Sequence, residues 1–222
     1  MTNPIAFYIF IALFAISSFV HLAFCFLENE KMRAITKCFP LVFLAVAAFV
    51  GFPNVPMLGI ALICGAIGDA FLLRKKDRGV LLLLGAMFFM VNHALFIASM
   101  LTLAGPLEIG YYIALGCYCV LFLALIPLSL KIVKKVYLGI GMALYFAALT
   151  SDTLVSVFLL INGHQGLFFL ALAGALMFLL SDSILGYTMF KKDIKRRDFY
   201  IMLTYLGAQV LILCGIVFGL IG

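Results

Sequence analysis

The sequence predicts an all-α integral membrane protein, a bundle of eight transmembrane helices in a single domain over residues 1–222, with both termini on the non-cytoplasmic side. Three observations carry this. Of the 222 residues, 67% are hydrophobic and 11% charged, more apolar surface than a soluble core can hide. The apolar residues fall into eight runs, each near the roughly 20 residues that cross about 30 Å of hydrocarbon. All fifteen Lys and Arg fall into four clusters: Lys31, Arg33 and Lys37; Arg74, Lys75, Lys76 and Arg78; Lys131, Lys134 and Lys135; and Lys191, Lys192, Lys195, Arg196 and Arg197. These clusters occupy alternate ends of the runs, and basic loops stay cytoplasmic.

The expected spans are 4–27, 34–52, 55–73, 79–103, 108–130, 135–161, 165–190 and 198–221. The first lacks the basic lead-in and small-residue cleavage site of a signal peptide, and is read as a retained span. The second opens in the first basic cluster and ends in the turn Gly51–Pro56; the third returns to the second cluster. The fourth leads to the turn Ala104–Leu107, the fifth to the third cluster, the sixth to Asn162–Gly166 and the seventh to the fourth cluster, from which the eighth departs. Gly, Pro and Asn mark the far-side turns as tight. Helices are required because lipid offers no partner to backbone amides, and the runs lack the alternation of barrel strands.

Composition also narrows function. A formal charge of +6 would suggest nucleic acid in a soluble protein, but here it lies beside spans, where anionic lipid headgroups are the neighbours. The six cysteines sit mostly in apolar runs as small hydrophobes, and Cys117 and Cys119 are spaced as neither a redox pair nor a zinc knuckle. There is no G-x-S-x-G elbow, H-E-x-x-H or phosphate-binding loop, and three dispersed histidines make a poor zinc site. No metal and no organic cofactor is implied. Carboxylates remain as the catalytic groups.

Three of the nine acidic residues, Asp69, Asp152 and Asp182, lie inside apolar runs. Each costs about 2.5–3.5 kcal/mol at a span centre unless partners offset it. At about 1.5 Å per residue from the nearest basic residue, Asp69 lies about 7 Å, Tyr205 about 12 Å, Asp182 about 13 Å, Gln209 about 18 Å and His93 about 22 Å from the cytoplasmic end. Asp152, at about 25 Å, is expected near the outer interface and peripheral. The three-and-four spacing groups Ala61, Cys64, Gly65, Gly68 and Asp69 on one face of the third span, and Ala171, Gly174, Ala175, Phe178 and Asp182 on one face of the seventh. Gly85, Phe89, Asn92, His93 and Phe96 share a face of the fourth span, and Tyr205 and Gln209 one of the eighth. These faces are expected to meet in a polar cavity open to the cytoplasm, bordered by His21. Each polar residue also has a plain alternative: Asp69 snorkelling toward Arg74, or any of the others bonding a neighbouring helix.

Four stretches, in order, resemble the YhhN family of membrane proteins: Gly68-Asp69 with the following Ala70-Phe71-Leu72-Leu73; Asn92-His93 before Ala94-Leu95-Phe96-Ile97; Gly174 through Ser181-Asp182-Ser183; and Thr204-Tyr205 through Gln209. The resemblance implies a lysoplasmalogenase, an ether hydrolase that splits the vinyl ether of lysoplasmalogens into a fatty aldehyde and glycerophospho-ethanolamine or -choline. It implies Asp69 and Asp182 as catalytic, and His93, Tyr205, Gln209 and Lys37 as supporting residues, with Asn92 beside them. Thr150-Ser151-Asp152 departs from the expected pattern.

Vinyl ether cleavage needs a proton donor and a base that directs water, which two carboxylates in unlike surroundings supply. Asp182, the deeper, is expected as acid and Asp69, nearer water, as base, with Lys37 and Arg74 holding the phosphate at the rim. The membrane would be the plasma membrane of a bacterium or an internal one, such as endoplasmic reticulum, of a eukaryote. The rival class is a proton- or cation-coupled transporter using the same buried Asp residues.

Overall fold

The computed structural model describes residues 1–73, 80–102, 109–132, 136–161, 168–190 and 192–221, and among these it is helical throughout, with no strand. The helices are α1 (Pro4–Phe26), α2 (Glu30–Thr36), α3 (Phe39–Gly51), α4 (Pro56–Leu72), α5 (Val80–Leu101), α6 (Ile109–Ile132), α7 (Val136–Ile161), α8 (Phe168–Phe190) and α9 (Arg197–Ile221). Among the described residues six helical stretches are long and apolar enough to cross a membrane: α1, α2 with α3, α5, α7, α8 and α9. The apolar helix α4 and the apolar part of α6, Ile109–Val120, are shorter.

The second expected span, 34–52, is corrected in form. It begins earlier and is broken between α2 and α3 at Lys37 and Cys38. Pro40 lies in the first turn of α3, where a missing N–H costs nothing, but the same residue cannot continue a helix that began before it. Asn29 caps α2 by accepting from Met32 N at 3.1 Å, as Asn3 caps α1 at Ala6 N. The break leaves Lys37 as the C-terminal cap of α2, turned toward α4.

Helix α1 packs on α3, α3 on α4, α4 on α5, α5 on α7, α7 on α8 and α8 on α9, and α9 closes the arrangement by touching α1, α3 and α5 as well. It is the most enclosed of the six long stretches. Helix α6 packs on α7, where the Tyr118 hydroxyl donates to the Ala147 carbonyl and meets Thr150 Oγ1 at 3.0 Å. At one end of the bundle Thr2 N–H donates to Gly51 O at 2.9 Å, and Phe7 meets Phe52 edge-on at 5.6 Å. At the other end Arg33 pairs with Asp198, joining the first and last basic clusters. Arg74, Lys75, Lys76, Arg78, Lys134, Lys135, the turn 104–107 and His164 lie outside the described residues.

The small-residue faces serve close approach. A Cβ on Gly68 would stand 3.0 Å from Phe89 and 3.2 Å from the Gly85 carbonyl, across the α4–α5 contact. Between α8 and α9 the backbones come closer still. A Cβ on Gly174 would meet Ala208 O at 2.8 Å, and one on Gly215 would meet Ala171 N at 2.4 Å. Glycine permits these crossings because helices in lipid associate by packing rather than by the hydrophobic effect.

Candidate functional site

The two tight helix pairs, α4–α5 and α8–α9, bring the polar residues together in two groups. In the first, Asp69 of α4 is 2% exposed, and its Oδ1 lies 3.0 Å from Lys37 Nζ. The same ammonium reaches the Asp69 carbonyl at 3.4 Å. The Tyr205 hydroxyl sits beside this carboxylate, short of hydrogen-bond geometry, so that it and Asp69 Oδ2 have no partner among the described residues. Gly65, one turn before Asp69, makes the approach possible: a Cβ there would stand 3.2 Å from the Tyr205 hydroxyl and 3.4 Å from Gln209 Nε2. Gln209 Nε2 donates to Asn92 Oδ1 at 3.4 Å, and Asn92 Nδ2 donates to the Ala61 carbonyl at 2.7 Å.

The second group is centred on His93, whose Nδ1 lies 2.5 Å from Asp152 Oδ2 with both side chains fully enclosed. Tyr145 of α7 donates its hydroxyl to Asp182 of α8. Aromatic rings join the groups. Phe178 packs on His93 at 4.5 Å and edge-on to Tyr205 at 5.3 Å, and Phe89 meets Tyr205 edge-on at 5.8 Å.

Several expectations change. Asp152 is not peripheral: it is 1% exposed and holds His93. Residue counting puts His93 on α5 at a similar depth, about 22 Å, and burial in a bundle depends on which face a helix turns inward. The departure Thr150-Ser151-Asp152 divides between two neighbours, since Thr150 and Ser151 meet Tyr118 of α6 while Asp152 faces α5. Lys37 and Tyr205 close over Asp69, while Asp182 accepts from Tyr145. Lys37 is committed to Asp69 and does not stand free at the rim, a result of the break between α2 and α3 that turns it inward. His21 stands apart from the acids, bonded to Thr36 Oγ1 at 2.8 Å and Cys25 Sγ at 3.4 Å. Arg74 has no described position.

Tyr145 was missed. Its signal was available, for Tyr145, Leu149, Asp152 and Ser156 follow helical four-three-four spacing. Beyond the paired atoms, His93 Nε2, Asp152 Oδ1 and Gln209 Oε1 are buried without a partner among the described residues, as are the Tyr205 hydroxyl and Asp69 Oδ2. Buried polar atoms are rarely left so, and each costs about 1–3 kcal/mol when unmet. Five such atoms are gathered in this one region of the bundle.

No curated protein matches the chain, and no solved structure does. The YhhN family model matches residues 32–216, a stretch that runs from α2 into α9 and takes in both carboxylates, the His93–Asp152 pair and the Lys37 contact. With nearly the whole bundle covered, the chain belongs to the YhhN family.

Proposed function

We propose that this protein is a lysoplasmalogenase, hydrolysing the vinyl ether of an alkenyl-glycerophospholipid that carries one chain. The observation that carries the reading is the presence of two carboxylates on different helices, Asp69 held by Lys37 and Asp182 by Tyr145, about a polar cluster in which His93, Phe178 and Tyr205 pack on one another inside a membrane protein. Family membership adds to it. The lysophospholipid would reach the site from the bilayer, and its single chain would lie among the apolar helices.

The reaction begins when a proton adds to the outer alkene carbon and leaves an oxocarbenium ion at the carbon bonded to the ether oxygen. Water attacks that carbon and loses a proton, and the hemiacetal collapses to aldehyde and alcohol. Asp182, bonded to Tyr145 and without a cationic partner among the described residues, suits the proton donor. Asp69, whose Oδ1 is paired with Lys37, offers Oδ2 to direct water and to stabilise the cation. With Asp152 accepting from Nδ1–H, His93 presents Nε2 as an acceptor that positions the same water, the orienting logic of a His–carboxylate pair.

The test is aldehyde release by purified protein in detergent from a lysoplasmalogen and from a matched lipid with a saturated ether. Cleavage of the first alone is expected, with activity abolished in Asp69→Asn and Asp182→Asn proteins of unchanged fold. Near wild-type turnover in both variants would remove the catalytic assignment. Solute movement across sealed vesicles without bond cleavage would favour the transporter class instead.

A further inference from the structure

Helix α1 is the least enclosed of the six long stretches, yet it carries a fully buried histidine. His21 precedes the matched residues 32–216 and takes no part in the proposed reaction. A buried polar ring is costly unless its nitrogens are bonded, and here both are. Nδ1 lies 2.8 Å from Thr36 Oγ1, and Nε2 lies 3.4 Å from Cys25 Sγ. The direction of these bonds follows from a third. The Thr36 hydroxyl has one proton and donates it, at 2.8 Å, to the Met32 carbonyl, which can only accept. Thr36 Oγ1 therefore accepts from His21 Nδ1–H, and His21 Nε2 accepts from the Cys25 thiol. The imidazole is held in a single tautomer, with its one N–H aimed at the end of α2.

Thr36 is the last residue of α2, and the side chains at the break between α2 and α3 face different partners. Thr36 meets His21 of α1. Lys37 reaches the Asp69 carboxylate at 3.0 Å and the Asp69 carbonyl at 3.4 Å, and Cys38 Sγ donates to the Ala66 carbonyl at 3.5 Å. No residue of α2 is fully buried, so packing alone does little to fix where this short helix ends. Arg33, three residues before Thr36, ties α2 to Asp198 of α9. A lysine is a point charge on a flexible four-carbon stem, so its hold on one carboxylate oxygen depends on the backbone that carries it. That hold on Oδ1 leaves Asp69 Oδ2 for water.

We propose that His21 is a positioning residue: through Thr36 it fixes the end of α2, and with it the backbone from which Lys37 reaches Asp69. The inference rests on the lysoplasmalogenase reading for its effect on turnover, while the hold on Lys37 stands apart from any reaction.

The experiment takes two readouts on purified protein in detergent. One is kcat and KM for a lysoplasmalogen. The other is the rate at which acetic anhydride acylates Lys37, followed by mass spectrometry against the exposed Lys31 as reference. His21→Phe and Thr36→Val each remove the bond. Both should lower kcat about tenfold to a hundredfold, the cost of a small misplacement at the reacting groups, with KM within about twofold. Both should raise Lys37 acylation relative to Lys31 about tenfold, the worth of one charge-assisted bond. His21→Asn, whose amide nitrogen takes the place of Nδ1, and Thr36→Ser, which keeps the hydroxyl, should recover most of each effect. Arg33→Met, which frees α2 from α9, should leave Lys37 acylation within about twofold. Lys37 acylation at the wild-type rate in the folded variants overturns the assignment. So does an equal rise in Arg33→Met, which would mean a general loosening of α2. Thr36→Val carries the test should His21→Phe fail to fold. Faster Lys37 acylation in these variants with no aldehyde from wild type sinks the hydrolase and keeps the positioning, while aldehyde release with kcat unaltered in both does the reverse.

Discussion

Asp152 and His93 show how one contact assigns roles that neither residue type carries alone. A carboxylate at 2.5 Å from Nδ1 fixes which imidazole nitrogen carries the proton, and so which faces the reacting water. His93→Gln is expected to lower kcat about a hundredfold, as for loss of a positioned base or water-orienting group. Asp152→Asn is expected to do nearly the same, and the double variant to lose little more than His93→Gln, since the two act as a unit. Fully additive losses in a double-mutant cycle would show that they act separately. Tyr145→Phe removes the hydroxyl that Asp182 accepts and should slow turnover without changing substrate affinity, checked by kcat and KM measured separately.

Helix pairs set the site by how closely their backbones approach, and this is where reading from sequence succeeded best. The small faces that end in Asp69 and Asp182 were legible because three-and-four spacing of Gly and Ala has few other uses in an apolar helix. Gly174→Leu should destabilise the protein by about 1–3 kcal/mol through overpacking against α9, seen as a lower melting temperature in detergent. Gly116→Ala on α6, where a Cβ would meet nothing within 4 Å, should be neutral or gain up to about 1 kcal/mol. Equal effects from the two would contradict the α8–α9 crossing. The break at Lys37 was not legible, because hydropathy runs smoothly through Cys38-Phe39-Pro40-Leu41 and only the position of Pro40 in a turn distinguishes a start from a kink. Asp152 was misjudged for a related reason: depth follows from counting residues, but facing requires knowing the neighbour.

For the molecule as a whole, the contact between the α1–α2 turn and the start of α9 sets Arg33 and Arg196 at one end and the Thr2–Gly51 contact at the other. With basic loops inside, both termini should lie outside the cytoplasm. Reporter fusions or thiol labelling at residue 2 and near residue 221 test this, and cytoplasmic labelling of either would overturn it. The link between Lys37 and Asp69 spans only 32 positions within the first third of the chain, so it has a meaning for biosynthesis. When α4 leaves the ribosome, its counter-ion has already been made, and the acid enters lipid as half of a neutral couple before α8 or α9 exists. Nascent chains ending after α5 should therefore integrate normally, whereas those carrying Lys37→Met should stall with α4 outside the bilayer, because the charge then lacks its cationic partner among the described residues.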